Sequence, residues 1–263
     1  MTPRAAKRRP LVAGNWKMNL THLDAIALVQ KVGFSLTDEQ LETVEVVVVP
    51  PFISLRSVQT LVDGDKIAIS YGAQDLSPHA EGAYTGDISG QMLAALRCSY
   101  VLVGHSERRE HHHEDDLLIN AKIRAARTVG LLPILCLGEG LEVRQAGDQI
   151  SHCLAQLDAG LADLSAAELG EFVVAYEPIW AIGTGEVATP EDAQEVCAAL
   201  RGRLQQTYGP EAVAATRILY GGSVKADNAE GIFAQPDVDG GLVGGASVQA
   251  EDFAAICRAA AVD

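Results

Sequence analysis

The feature that most restricts the fold of this 263-residue chain is a regular alternation of apolar segments with amphipathic ones, repeated eight times. Apolar runs typical of buried strands lie at residues 11–13, 44–49, 67–71, 100–103, 131–137, 171–176, 217–220 and 238–243. Segments with helical spacing follow them at residues 23–32, 53–61, 92–96, 117–129, 143–157, 190–204, 226–233 and 250–261. Such alternation predicts a parallel sheet, and eight units can close on themselves. We therefore predict an α/β fold, a single-domain (β/α)8 barrel with parallel strands.

The apolar content and the chain ends bear on domain organisation. With 48% hydrophobic residues the chain can bury a large core, and barrels of about 200 to 250 residues commonly fold as one domain. We expect a disordered basic tail over residues 1–10, holding Arg4, Lys7, Arg8 and Arg9, and a barrel domain over residues 11–263. No apolar h-region follows the tail, which argues against a secretory signal. No apolar run approaches the ~20 residues of a membrane span.

The net charge and the cysteine content indicate which partners, location and metal sites to expect. The formal net charge of -15 opposes binding to nucleic acid or to an anionic membrane, so neither partner is expected. An anionic substrate would need a locally positive site. The five cysteines are an odd number and form no Cys-x-x-Cys pair, which favours a reduced, cytoplasmic location and argues against a structural zinc site.

Polar and glycine-rich residues fall where several predicted strands end, as expected when an active site is built from the loops on one face of a barrel. Glu177 follows the strand at 171–176, and Pro178 fixes the backbone so that the carboxylate sits on a stiff turn. The apolar segment 180–182 and the glycines at 183 and 185 have the character of a lid that closes over a base and excludes water. A surface loop with a capping glutamate is the alternative.

Two further strand ends supply candidate electrophiles. His105 precedes Ser106 and Glu107 at a predicted helix start, a position that disfavours an imidazolium, so we expect a neutral ring that donates a hydrogen bond. The alternative is a histidine that caps a buried helix. Lys17, on the loop after the first strand, could supply positive charge to an oxyanion or a phosphate, although most loop lysines are simply solvated.

Gly221-Gly222-Ser223 and Gly244-Gly245 each follow one of the last two strands and precede a helix. Backbone amides at such positions favour an anion, and barrels often hold phosphate there. Tight turning alone explains one glycine pair better than it explains two.

Five segments resemble, in order, the signature motifs of the triosephosphate isomerase family. They are Asn15-Trp16-Lys17-Met18-Asn19, Gly104-His105-Ser106-Glu107-Arg108-Arg109, Ala175-Tyr176-Glu177-Pro178-Ile179-Trp180-Ala181-Ile182-Gly183-Thr184-Gly185, Tyr220-Gly221-Gly222-Ser223-Val224 and Leu242-Val243-Gly244-Gly245. The similarity runs from about Leu11 to Val262. It implies a TIM barrel and a cofactor-free, metal-free interconversion of dihydroxyacetone phosphate and D-glyceraldehyde 3-phosphate through an enediolate, in glycolysis and gluconeogenesis.

The resemblance also implies residue roles in a family that is a standard example of tuned acid and base groups. Glu177 would be the base, neutral His105 would polarise the carbonyl, and Lys17 would stabilise the enediolate. The remaining implied site residues bind substrate or support the site: Asn15, Gly183, Ser223, Gly244 and Gly245 for binding, with Glu107 and Cys136 in supporting positions.

Some positions depart from the family pattern. Glu186 stands after the lid where a basic residue is common, and Gly241 stands where a larger side chain is usual. The run His111-His112-His113 lacks the His-Glu-x-x-His spacing of a zinc site, so we interpret it as surface. An aldolase and a catalytically idle, ligand-binding barrel remain as alternatives. A Schiff-base lysine at a strand end would favour the first, and loss of Glu177 or His105 the second.

The connection after the third strand, from Gln74 to Gly86, exceeds the usual ~2 to 6 residues of such loops, which suggests that it contacts a partner. The resemblance implies that residues 74–86 insert into the second subunit of a homodimer, with Thr85 near Lys17 and His105 of the other copy.

Overall fold

Eight short apolar segments pair in parallel and in sequence order, and the eighth returns to the first, so the sheet closes into a barrel. The computed structural model describes residues 8–169, 171–184 and 186–261. The strands are β1 (Leu11–Asn15), β2 (Glu45–Val49), β3 (Ser70–Ala73), β4 (Tyr100–Val103), β5 (Leu132–Leu137), β6 (Val173–Tyr176), β7 (Arg217–Tyr220) and β8 (Gly240–Val243). The predicted (β/α)8 barrel with parallel strands is therefore confirmed.

Helices cover the outside of the barrel. They are α1 (His22–Ser35), α2 (Asp38–Thr43), α3 (Phe52–Asp65), α4 (Gly90–Ala95), α5 (Ser106–His111), α6 (Asp116–Thr128), α7 (Leu141–Ala146), α8 (Gln149–Gly160), α9 (Ala166–Leu169), α10 (Pro190–Tyr208), α11 (Pro210–Val213), α12 (Ala229–Phe233) and α13 (Ala250–Ala260). Sequence sets several of their starts: Thr21, Thr37 and Thr189 each form a capping box at a helix start.

Alternation along each strand divides the core into two parts. Leu11 and Ala13 of β1 point into the barrel, whereas Val12 packs in the layer between sheet and helices. At the amino-terminal end of the strands the interior is closed by polar groups. There Arg217 donates to Tyr100 Oη at 2.8 Å, and Tyr100 Oη donates to Glu45 Oε1 at 2.7 Å. The charged groups at the amino-terminal end of the barrel are thus paired with each other. A site can therefore be sought at the carboxyl-terminal end.

Two elements, the helix predicted over 143–157 and the strand predicted over 67–71, differ from the prediction in ways that have a clear backbone cause. The helix predicted over 143–157 is broken, because Gly147 adopts a left-handed φ of 79° that ends α7 before α8 begins. The third strand begins and ends later than 67–71. Gly72 belongs to this strand and pairs with Tyr100 of β4. A Cβ at Gly72 would lie 2.7 Å from Tyr100 O, and apolar content alone does not reveal that the two strands lie so close together.

Part of the predicted basic tail is described. Arg8 Nε donates to Asp239 Oδ1 at 2.7 Å, and Arg9 Nη2 donates to Leu41 O at 2.7 Å, so residues 8–10 contact the amino-terminal end of the barrel. The first seven residues lie outside the described part of the chain.

The long connection after β3 is ordered by its own contacts. The rings of His79 and Tyr84 stack with centroids 3.8 Å apart, and Ser77 Oγ donates to Asp87 Oδ2 at 2.6 Å. Thr85 is exposed at its tip. Among the residues that the structure describes, no helix combines the length and apolar character needed to cross a bilayer.

Candidate active site

A cavity of about 500 Å³ opens at the carboxyl ends of the strands. The structure places eight of the ten residues singled out by sequence on its lining: Asn15, Lys17, His105, Glu177, Gly183, Ser223, Gly244 and Gly245. They come from the carboxyl end of β1 and from the loops after β1, β4, β6, β7 and β8, which barrel closure brings to one face. Glu107 reaches the site through Lys17, and Cys136 lies in the apolar barrel interior instead of on the cavity lining.

Glu177 is held at the end of β6 by backbone and side-chain contacts. Its N–H donates to Leu137 O at 2.8 Å, which continues the pairing of β6 with β5 past the strand end. Glu177 is only 1% exposed, and its carboxylate Oε2 accepts a hydrogen bond from Ser106 N at 2.9 Å. The other oxygen faces His105 Nε2 at 2.9 Å. Both carboxylate oxygens are therefore engaged by neighbouring groups.

His105 stands at the N-cap of α5, where Glu107 N donates to its Nδ1 at 3.2 Å. An unprotonated Nδ1 accepts this bond, so Nε2 carries the proton that points to Glu177. Burial lowers the pKa of His105, but the facing Glu177 carboxylate, aided by Glu107, raises it by more, and the net shift is upward. Lys17 acts in the lowering direction. The charge state of this ring consequently depends on where the Glu177 carboxylate points.

Lys17 has a fixed backbone and a charged partner. Its φ of 51° is in the left-handed region, and Lys17 N donates to Asn15 Oδ1 at 3.0 Å. Gln74 Nε2 donates to Lys17 O at 2.8 Å. Lys17 Nζ lies 2.5 Å from Glu107 Oε1, so this lysine is not a freely solvated loop residue. The positive charge expected from the sequence is directed into the cavity.

Glycine backbones form part of the cavity wall. Gly244 lies against Lys17, since a Cβ at that position would be 3.5 Å from Lys17 Cε. A one-turn 3-10 helix (Gly245–Val248) follows, and Ser247 Oγ donates to Gly244 O at 2.6 Å. On the neighbouring loop, Asn228 Nδ2 donates to Ser223 O at 3.0 Å. Short side chains leave backbone groups facing the cavity, the arrangement that suits an anion.

The position of Gly241 does not loosen this wall. A Cβ at Gly241 would lie 3.1 Å from Phe233 Cζ, so the phenyl ring from α12 fills the space that a larger residue would need. Cys136 is fully buried, and burial holds the pKa of its thiol well above the usual range, with the Glu177 charge acting in the same direction.

The segment after Glu177 begins as a 3-10 turn (Ile179–Ala181) that is pinned at one point. Trp180 Nε1 donates to Glu139 Oε1 at 2.8 Å, and Tyr176 Oη donates to the same oxygen at 3.0 Å. Thr184 Oγ1 donates to Trp180 O at 2.7 Å, and Gly183 takes a left-handed φ of 70°. Beyond this anchor Gly183 and Thr184 are exposed, which leaves the tip of the predicted lid facing solvent. Gly185 lies outside the described residues.

Sequence reasoning missed several contributors. Glu139 is fully buried and anchors the start of the lid, and the Ser106 N–H holds the Glu177 carboxylate. Gln74 steadies Lys17, and Lys225 adds a second positive side chain to the cavity lining. The sequence does carry one signal for Glu139, a carboxylate two residues after a buried strand, but nothing in it identifies the partners.

Within the described part of the chain, no group of three or more His, Cys, Asp or Glu side chains is arranged to hold a metal ion, and this includes the run His111-His112-His113.

The chain matches the family model for triosephosphate isomerase over residues 10–260. It is 60% identical to the triosephosphate isomerase of Mycobacterium tuberculosis over 254 residues, which cover 97% of each chain. It is 59% identical to the triosephosphate isomerase of Streptomyces avermitilis over 251 residues, which cover 95% of this chain and 97% of the relative. The enzyme of that name from Nocardia farcinica is 57% identical over 254 residues.

Proposed function

Because the chain belongs to the triosephosphate isomerase family, we propose that Lys17, His105 and Glu177 catalyse its interconversion of dihydroxyacetone phosphate and D-glyceraldehyde 3-phosphate, a step of glycolysis and gluconeogenesis. The reaction passes through an enediolate and uses no cofactor. The observation that carries this assignment is the pairing of His105 Nε2 with Glu177 Oε1 at 2.9 Å inside a cavity that also holds Lys17. A base, a hydrogen-bond donor and a cation thus converge on one volume, as proton transfer next to a carbonyl requires.

Glu177 acts as the base. Its carboxylate turns away from Ser106 N and His105 Nε2 when substrate enters, removes the proton from C1 of dihydroxyacetone phosphate, and returns it to C2. Burial supports this role because hydration stabilises a carboxylate and weakens it as a base, and Glu177 is shielded from water. Pro178 and the bond from Glu177 N to Leu137 O hold the backbone so that only the side chain needs to move.

His105 acts as the electrophile. Its Nε2–H donates to the substrate carbonyl oxygen and then moves protons between the two oxygens of the enediolate. Once Glu177 has turned to the substrate, the main influence that raises the pKa of His105 has moved away. Burial, the Lys17 charge and the Glu107 N–H at Nδ1 all remain, and each favours the neutral ring. A neutral donor is better matched than an imidazolium to an oxygen that must later accept and release a proton.

Lys17 and the glycine-rich wall bind the anion. In a chain of net charge -15, the lysine supplies the local positive potential that attracts a triose phosphate and stabilises the enediolate oxygen. Asn15 fixes the Lys17 backbone, and Glu107 fixes its ammonium group. Ser223 and the backbone amides of Gly183, Gly244 and Gly245 hold the phosphate. Gly183 makes its contact last, when the lid closes. Cys136 packs beneath the base without touching substrate.

We further propose that the enzyme is a homodimer through residues 74–86. The loop is held by its own contacts, and Tyr84 within it and Phe52 on the surface beside it are exposed aromatic side chains. Met18 and Met92 are exposed as well, and Gln74 of the loop donates to the backbone oxygen of Lys17, the residue before Met18. Such exposure is unusual for a monomer and suits a subunit interface. The five buried cysteines with free thiols support a reducing location, the cytoplasm.

A coupled assay of triose phosphate isomerisation tests the proposal. The wild-type chain should be active in the presence of a chelator, and Glu177→Gln should lose about a thousandfold or more of kcat because it removes the base. Glu191→Gln, at an exposed first-turn position of α10, is the matched charge control and should keep wild-type activity. An inactive wild-type chain, or an active Glu177→Gln variant, would reject this assignment.

A further inference from the structure

The chain just after β5 continues to pair with the chain just after β6. Leu137 O accepts from Glu177 N at 2.8 Å, and Glu139 O accepts from Ile179 N at 3.0 Å. The base therefore sits between two bonds to the segment Leu137–Glu139, which we call the β5 extension. Displacement of this segment would move the base and the start of the lid together.

Gly138, in the middle of the β5 extension, makes the closest approach. A Cβ at this position would lie 1.7 Å from Glu177 O, 2.6 Å from its carbonyl carbon and 3.1 Å from its Cα. The backbone of Gly138 is not left-handed, so its conformation does not by itself demand glycine. What demands glycine is the main chain of Glu177, which occupies the place of a side chain.

Gln156 also holds the β5 extension. This half-buried side chain on α8 accepts from Gly138 N at 2.8 Å through its Oε1. Its amide nitrogen faces His152 Nε2 at 3.2 Å, one turn earlier on the same helix, which orients the amide. The Gly138 N–H would otherwise be left without a partner beyond the end of β5, and an unpaired N–H lets a loop move.

We propose that Gly138 and Gln156 are positioning residues for the base, an inference that rests on the proposed role of Glu177. Gln156 fixes Gly138, and the bare Cα of Gly138 lets the Glu177 backbone lie at the distance from which its carboxylate reaches substrate. Neither residue lines the cavity, so neither touches substrate. Misplacement of a reacting group by ~1 Å can cost on the order of a hundredfold in rate, so small movements here have large effects.

The first test compares Gly138→Ala with Gly140→Ala. Gly140 is two residues away, has an ordinary φ of -81°, and has no atom within 4 Å of an added Cβ. Gly138→Ala should lower kcat about a hundredfold while KM and the inhibition constant of inorganic phosphate change by less than about threefold, since most of the proposed phosphate-binding residues, Ser223, Gly244 and Gly245, follow β7 and β8. Gly140→Ala should retain wild-type kinetics.

The second test avoids a clash and applies even if Gly138→Ala fails to fold. Gln156→Met removes the acceptor at similar volume and should lower kcat about five- to tenfold. Gln156→Glu restores an acceptor for the Gly138 N–H and should recover kcat to within about twofold of wild type.

A merely structural role would give a different pattern. If Gln156→Met lowers the thermal midpoint but leaves kcat unchanged, or if Gln156→Glu is as slow as Gln156→Met, the positioning role is overturned. If kcat and phosphate inhibition deteriorate together, the β5 extension supports the whole cavity and not the base. Glu177→Gln, run in parallel, separates the cases: its activity would reject the role of the base itself, whereas its inactivity leaves that role intact.

Discussion

His105 Nε2 lies 2.9 Å from Glu177 Oε1, and both side chains are buried at the floor of the cavity. The proposed electrophile and the proposed base are therefore paired with each other. Burial lowers the pKa of His105, and the Glu177 carboxylate raises it by more, so the charge of the ring is linked to the position of that carboxylate.

This pair predicts a pH-dependent part of the stability. The pKa of His105 is raised above its ordinary 6.5 in the folded chain, so its stabilising effect is fully present below about pH 6.5 and is lost as pH rises through the folded pKa. The free energy of urea unfolding, measured from about pH 5.5 to about pH 9, should fall less steeply for His105→Gln than for the wild type. Parallel curves for the two proteins would contradict the pairing.

The lid should protect the enediolate more than it positions the base. An enediolate can expel the neighbouring phosphate, so a variant lacking residues 182–184 should still abstract the substrate proton but release methylglyoxal and phosphate. Glu177→Asp withdraws the carboxylate by ~1 Å and should be slow, by on the order of a hundredfold, without this side product. The ratio of methylglyoxal to isomerised product decides. A shortened lid that is slow but leaves the ratio unchanged would show that the segment serves only to position Glu177.

The loop after β3 predicts the oligomeric state. Thr85 is exposed at its tip, so Thr85→Arg should place a charge in the proposed interface and give a monomer with greatly reduced activity. Ala155→Arg, at an exposed position of α8, is the control and should sediment like the wild type. Analytical ultracentrifugation distinguishes the outcomes. A Thr85→Arg variant that stays dimeric, or a fully active monomer, would exclude this interface.

Two buried tyrosines should differ in their contribution to stability. Tyr176 Oη donates to the fully buried Glu139 carboxylate, whereas Tyr220 Oη has no hydrogen-bond partner within the residues described. Tyr176→Phe should lower the free energy of unfolding by about 1 to 3 kcal/mol, because it leaves a buried charge with one donor fewer. Tyr220→Phe should change it by less than about 0.5 kcal/mol or increase it. Equal losses in chemical denaturation would show that the Glu139 contact is not the cause.

The fold and much of the candidate site could be predicted from the sequence. Alternation of continuous apolar runs with segments of helical spacing predicted eight strand and helix units, and the polar residues that follow the strands pointed to Lys17, His105 and Glu177 as candidates. The bounds of two elements were predicted less well. The break between α7 and α8 at Gly147 and the extent of β3 around Gly72 depend on backbone angles and strand contacts that hydrophobic periodicity does not report.

Sequence by itself determined which residues stand at strand ends, because periodicity, proline and capping act between neighbours along the chain. Only the tertiary structure decided what those residues meet. Glu107 pairs with Lys17 across 90 positions, the Ser106 N–H holds a carboxylate 71 positions away, and Gln156 reaches Gly138 from the next helix but one. Such pairings depend on strand register and on how the helices pack around the closed sheet. These contacts depend on the geometry of the whole barrel, so they cannot be predicted from any short stretch of sequence.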